Sequence, residues 1–206
     1  MNSHSPSMNV SALLKASQII ECVLGNSLGA TASDVLDTTS MTKSSAHRTI
    51  VKMEAFGWLQ KDCEGEITRW YLSDYVLQMA FNWKRYALSQ NDDEELMSMK
   101  LPFKPNSQDA LSKSLYLFHL VYESGFKGRT LNELYKAGNC PRSTAQRILR
   151  TWELLGWLRP IKVDGKREVW CASSKLIELA NAYEHQVRSK VYQLQDRYQQ
   201  ITGEVF

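Results

Sequence analysis

A mainly α fold with small β-hairpin wings, built twice in tandem and completed by a long C-terminal helix, is predicted by three observations. The first is a repeated phrase: KSSAHRTIVKMEAFGWL from Lys43 and RSTAQRILRTWELLGWL from Arg142 align without a gap. Ser44/Ser143, Ala46/Ala145, Arg48/Arg147, Glu54/Glu153, Gly57/Gly156, Trp58/Trp157 and Leu59/Leu158 are identical pairs. The offset of 99 reaches upstream to Gly29/Gly128 and Thr31/Thr130, and becomes 100 downstream at Gly65/Gly165, Trp70/Trp170 and Ala80/Ala180. One residue has been added between Leu158 and Gly165, and register held across so long a stretch reads as an internal duplication. The second observation is a turn signal, Glu64-Gly65 and Asp164-Gly165, set between alternating runs in each copy. The third is the apolar series Leu176, Ala180, Tyr183, Val187, Val191, Leu194, Tyr198 and Ile201. Its steps of three and four, with one extra residue near the middle, make a coiled-coil seam.

Each element has its own sequence reason. In the first repeat Leu14, Ile19, Ile20, Val23 and Leu24 recur at helical spacing and stop at Gly25. Thr31 is placed to cap a short helix through Leu36, the polar turn DTTSM follows, and Thr42 caps a third helix running to Phe56. Gly57 then offers the left-handed ending that a side chain would oppose. WLQKD and ITRWYL alternate like strands around Glu64-Gly65. The second repeat replays this order. Leu115, Phe118, Val121 and Tyr122 mark its first helix, Leu131 to Tyr135 its second and Arg142 to Leu155 its third. Pro141 sits just ahead of the third helix, where a missing N–H costs nothing. Asp164-Gly165, between WLRPIKV and REVWCAS, is a type I′ hairpin signal. Trp58, Trp70, Trp157 and Trp170 occupy strand positions that predict packing under the wings rather than stacking on bases.

Three helices and a hairpin, twice over, predict two tandem winged helix-turn-helix domains plus a long C-terminal helix. The boundaries are 11–88 for the first domain, 89–108 for an acidic and then proline-bearing linker, 109–180 for the second domain and 181–206 for the C-terminal helix. The start of that helix is expected to pack on its own repeat, as Val76, Met79, Ala80 and Trp83 do in the first. Its distal seam, Val187, Val191, Leu194, Tyr198 and Ile201, then has no cover, which predicts a homodimer contact. Folding back onto the first repeat or the linker is the alternative.

The phrase Lys43-Ser44-Ser45-Ala46-His47-Arg48-Thr49-Ile50 leads into an apolar helix, a glycine, an aromatic and a hairpin. In this it resembles the DNA-binding domain of the IclR family of bacterial regulators, and Arg142 to Leu149 resembles it at least as well. The likeness covers about residues 11–80 and 112–180. It implies double-stranded DNA as the partner. An IclR-type regulator continues into a long effector-binding domain, whereas this chain spends its remaining length on a second winged helix. The resemblance therefore gives no support for a small-molecule effector.

A recognition helix presents short polar groups to phosphates and longer ones to base edges. The first third helix offers Lys43, Ser44, Ser45, His47, Arg48 and Lys52; the second offers Arg142, Ser143, Thr144, Gln146, Arg147 and Arg150. Hydroxyls at the helix start suit phosphate oxygens, a role for Ser44, Ser45, Ser143 and Thr144. His47 against Gln146 and Val51 against Arg150 differ between the copies and are the candidates for base reading. Arg48 and Arg147 are common to both and suit phosphate. Either face also reads as an ordinary solvated helix surface, but recurrence at the same place in the same order favours DNA. The second wing adds Arg159, Lys162, Lys166 and Arg167, whereas Lys61 and Arg69 of the first face Asp62, Glu64 and Glu66. The second domain is therefore expected to dominate affinity.

Bulk properties bound the rest. A net charge of +3 does not by itself imply a polyanion partner, so any basic surface is local. The start MNSHSPSMNV has no secretory pattern, no run is long enough to span a membrane, and a cytoplasmic chain is expected. Cys22, Cys63, Cys140 and Cys171 are scattered and read as free thiols, without a metal or other cofactor. No glycine-rich phosphate loop, paired carboxylates or histidine cluster points to an enzyme. The leading function is a bacterial or phage transcriptional regulator. A plasmid or phage replication or partition protein is one alternative, and a winged-helix protein-interaction module is another.

Overall fold

The computed structural model describes residues 8–64, 66–89, 97–103, 109–165 and 167–204. Gly65, Lys166 and much of the expected linker fall outside them. The architecture is mainly helical with two antiparallel hairpins, two tandem winged helix-turn-helix units and a long C-terminal helix. The first unit runs α1 Met8–Gly25, α2 Ala32–Thr38, α3 Lys43–Ala55, β1 Leu59–Glu64, β2 Ile67–Leu72 and α4 Asp74–Leu88. The second runs α5 Ala110–Glu123, a single 3-10 turn at Gly125–Lys127, α6 Leu131–Ala137, α7 Arg142–Leu154, β3 Leu158–Val163, β4 Arg167–Ala172 and α8 Lys175–Thr202.

The same local chemistry starts the matching helices. Thr31 accepts from the backbone N–H of Asp34 while the Asp34 carboxylate accepts from the N–H of Thr31, at 3.2 and 2.7 Å. Thr130 and Glu133 repeat this reciprocal box at 3.3 and 2.7 Å. Each satisfies two amides that a helix start leaves without partners. Thr42 caps α3 through the N–H of Ser45, and Asp109 caps α5 through those of Leu111 and Ser112. Gly57 and Gly156 end α3 and α7 at φ of 66° and 77°, the left-handed region in which a Cβ is disfavoured.

Both expected hairpins form, with the first turn one residue later than the Glu64-Gly65 signal and the second one residue longer than a type I′ turn, and each gains a short extra contact from the chain before α2 or α6. Ala30 bridges to Trp70, and Arg129 bridges to Trp170. Pairing ends at Glu64↔Ile67 in the first wing and at Val163↔Arg167 in the second. Asp164 and Gly165 both take positive φ, as their turn signal requires. The second loop nevertheless holds three residues where the first holds two, so the added residue sits in the turn itself.

Packing joins the repeats rather than separating them. Trp58 lies 5.7 Å from Phe118 and 6.1 Å from Trp152 between ring centroids, and Phe118 lies 6.0 Å from Trp157. All four side chains are buried, and the Trp157 indole N–H donates to Ser17 on α1 at 3.2 Å. Part of the expected linker also packs: Met97 is buried, and Phe103 sits 5.3 Å from Phe56.

The start of α8 does meet its own repeat, where Lys175 bonds the Leu155 carbonyl at 3.1 Å and lies 5.2 Å over the Trp157 ring, but α4 and α8 also reach across to the other repeat. The two helices lie along one another, α8 also touches α1, and side chains of α4 reach α5. From α4, the Tyr75 hydroxyl meets His119 Nδ1 at 2.7 Å and Trp83 meets Tyr122 at 6.2 Å. From α8, Lys175 pairs with Glu21 at 2.9 Å and Gln186 donates to the Leu24 carbonyl. An apolar stripe specifies that a face is buried but not against which neighbour. Past Gln186 the helix has no cover among the described residues. Val187, Val191, Leu194, Tyr198 and Ile201 are all exposed, Ile201 by 74%.

Two predictions follow from this packing. Trp157→Ala removes a large buried side chain and costs about 3–5 kcal/mol. Both repeats then lose structure in one transition, so circular dichroism and tryptophan fluorescence should give coincident denaturant curves. A first repeat that stays folded while the second melts contradicts a shared core. The second prediction concerns acid. Asp34 and Glu133 are held below the ordinary carboxylate range, chiefly by the backbone N–H groups of Thr31 and Thr130. Glu123 is held down by its hydrogen bond from His119. For Asp109, burial pushes upward, but bonds from Lys52, Ser112 and Leu111 outweigh it and leave the carboxyl low. A carboxyl lowered by folding stabilises fully above its unfolded value near 4 and loses that contribution as pH falls through the lower folded value. Thermal midpoints should therefore hold steady above about pH 5 and decline below about pH 4.

Candidate nucleic-acid interface

Each third helix buries one face and frees another. Ala46, Thr49, Ile50 and Met53 hold α3 against the core, and Ala145, Ile148, Leu149, Thr151 and Trp152 hold α7. The faces left outward carry most of the sequence-predicted groups. Lys43, Ser44, His47 and Arg48 are exposed on α3, while Ser45 and Lys52 are half-buried. Together with Thr42 and Val51, all of these except Ser45 line one open depression of about 910 Å³. On α7, Arg142, Ser143, Gln146, Arg147 and Arg150 are exposed, and Thr144 is half-buried.

Exposure does not make these cations equivalent. The Lys52 ammonium pairs with Asp109, the capping carboxylate of α5. Arg150 bonds Glu153 at 2.8 Å, approaches Glu168 at 3.7 Å and lies 5.1 Å over the Trp170 ring. Its guanidinium is pushed further toward the charged form, first by the bond to Glu153. To read a guanine it must release those carboxylates. Arg142 donates to the Asn132 side chain on α6 at 2.9 Å, which orients it at the start of α7. Arg48 and Arg147 make no ion pair among the described residues and extend from matching positions.

The two helix starts also differ. Thr42 occupies an amide of α3, whereas Pro141 ahead of α7 provides no side-chain cap. Free first-turn N–H groups beside Ser143 and Thr144 suit a phosphate oxygen. In the second wing Arg159, Lys162 and Arg167 are exposed, with Lys162 opposite Glu168 in the register. Lys166 belongs to that wing in sequence but lies outside the described residues. In the first wing Lys61 is drawn to Glu54 at 3.1 Å and Arg69 to the Gly29 carbonyl at 3.3 Å. Trp58, Trp157 and Trp170 are buried and Trp70 is half-buried, so the tryptophans serve packing.

Sequence reasoning passed over Asn132, Asp109 and the bridge residue Arg129. Arg129 stands at the root of the second wing, and the constant offset to Ala30 could have marked it as a strand position.

Part of the first unit is similar to a known family. Residues 12–62 match the IclR helix-turn-helix domain. The match takes in most of α1, the whole of α2 and α3, and most of β1, so α3 lies within the part of the chain similar to a DNA-binding domain. It supports a regulator that binds double-stranded DNA, a class without enzymatic activity. No curated protein matches the chain. Among the described residues no helix is long and apolar enough to cross a membrane, and no cluster of side chains is suited to a metal.

The free arginines give a comparison between repeats. Arg147→Ala, at a phosphate contact, should weaken duplex binding about equally across sequences and lower the salt slope by about 1, and Arg48→Ala should weaken binding less. Fluorescence anisotropy across a salt series measures both; equal losses at fixed salt contradict a dominant second repeat.

Proposed function

We propose that the chain is a sequence-specific regulator of transcription from a bacterial or phage genome, with α3 and α7 as recognition helices for double-stranded DNA. The observation that carries this reading is the IclR-type helix-turn-helix at 12–62, whose outward cationic face recurs on α7 in the same setting. Ser44, Ser45, Ser143 and Thr144 serve phosphates, as do Arg48 and Arg147. His47 and Gln146 face base edges, and Gln146 is suited to pair bidentately with adenine. Lys162, Lys166 and Arg167 reach the backbone beside the second half of the site. The domains keep the boundaries 11–88 and 109–180, and no small-molecule effector is required. Selection of duplexes from a random library by the full chain tests this reading: one compact motif supports it, and failure to enrich any motif defeats it.

The distal part of α8 serves a second copy of the chain. A helix of 28 residues is about 40 Å long, and its outer half presents Val187, Val191, Leu194, Tyr198 and Ile201 as one heptad stripe. Arg188, Lys190 and Arg197 flank the stripe. Parallel pairing sets Lys190 beside Gln195 and Arg197 beside Thr202 of the other copy, whereas antiparallel pairing opposes cations. Sedimentation should find the intact chain dimeric at micromolar concentration and Leu194→Asp monomeric with unchanged circular dichroism. An intact chain that sediments as a monomer removes this part of the proposal.

A further inference from the structure

The contacts between the repeats are reciprocal, which is the signature of a two-fold interface. Across such an axis residue i touches j while the equivalent of i touches the equivalent of j, and a residue on the axis touches its own equivalent. Lys84 and Glu184 are equivalent positions 100 residues apart, and they pair with each other at 2.9 Å. Tyr75 bonds His119, and its equivalent Lys175 pairs with Glu21, one residue from the equivalent of His119. Tyr86 packs on Phe126 at 4.9 Å beside the end of α5, and its equivalent Gln186 bonds the Leu24 carbonyl beside the end of α1. Helix α1 also touches its own equivalent, α5. The symmetry is approximate, since α1 meets α7 more broadly than α5 meets α3.

From this relation we infer that a single chain is already a symmetric DNA reader, and that its target is an imperfect inverted repeat rather than a direct repeat or one asymmetric block. The inference rests on the DNA-binding reading above and adds the symmetry of the site. A rotation that carries one repeat onto the other also carries α3 onto α7. Two helices so related can lie on one duplex only with their half-sites inverted about the dyad. The spacing is bounded as well. Trp58, three residues past α3, meets Trp152 in the last turn of α7 at 6.1 Å. Each helix has 13 residues and so is about 20 Å long, which keeps the two helix centres within roughly 35 Å, about one turn of DNA. The halves differ in sequence because His47 faces one and Gln146 the other.

The test uses the full chain and the duplex it enriches from a random library. The expected motif has two related but unequal inverted halves, with centres no more than about ten base pairs apart. Titration above the dissociation constant with the full-length Leu194→Asp variant, in which α8 brings no second copy, should saturate at one chain per element. Flipping one half to make a direct repeat, with spacing unchanged, should weaken binding at least tenfold. A motif with a single half, a direct repeat bound as tightly as the inverted one, or two chains per inverted repeat overturns the inference while leaving DNA binding intact. Failure to enrich any sequence overturns the DNA-binding reading and this inference with it.

Discussion

The aromatic cluster of Trp58, Phe118, Trp152 and Trp157 is the contact on which the remaining arrangement depends. Two of its members, Trp58 and Trp157, stand just past the glycines that end α3 and α7, so rings that fill the core lie where both helices stop. Burying so many large rings supplies a contact area that neither small winged helix offers alone. With this centre fixed, α4 and α8 close over it from opposite repeats. The cationic faces of α3 and α7 are then left outward because their other faces are already committed.

Local chemistry was legible in the sequence wherever the partners are near in the chain. The caps at Thr31, Thr42 and Thr130, the left-handed glycines and both hairpins depend on residues within a few positions of one another. The exposed stripe on the outer half of α8 was legible for the same reason, because helical period alone places Val191, Leu194 and Tyr198 on one side. Distant pairing was not legible. Nothing in the neighbourhood of Lys52 announces Asp109, and nothing near Arg150 announces Glu168 across the wing. The reach of α4 and α8 across to the other repeat was hidden because Val76, Met79 and Ala80 satisfy any apolar partner equally well in a pattern.

The two repeats share a plan but differ in electrostatic detail. In the first, a threonine covers the start of α3 and the wing cations turn inward toward Glu54 and the Gly29 carbonyl. In the second, the helix start is open and the wing extends Arg159, Lys162 and Arg167 into solvent. The carboxylates around Arg150 moderate that difference by holding one cation of the stronger face in reserve.

The crossing of the last helices has a consequence for how the chain can be divided. Each repeat ends in a helix that lies along the other repeat's last helix and reaches that repeat's first helix. Cutting the backbone between Leu88 and Asp109 would thus yield two unequal fragments, each with an unfilled apolar face that only the other completes. Such fragments would fold by complementation, as an obligate heterodimer. The connecting peptide contributes chiefly proximity: it converts that second-order association into a first-order one and fixes the ratio of the halves at one to one.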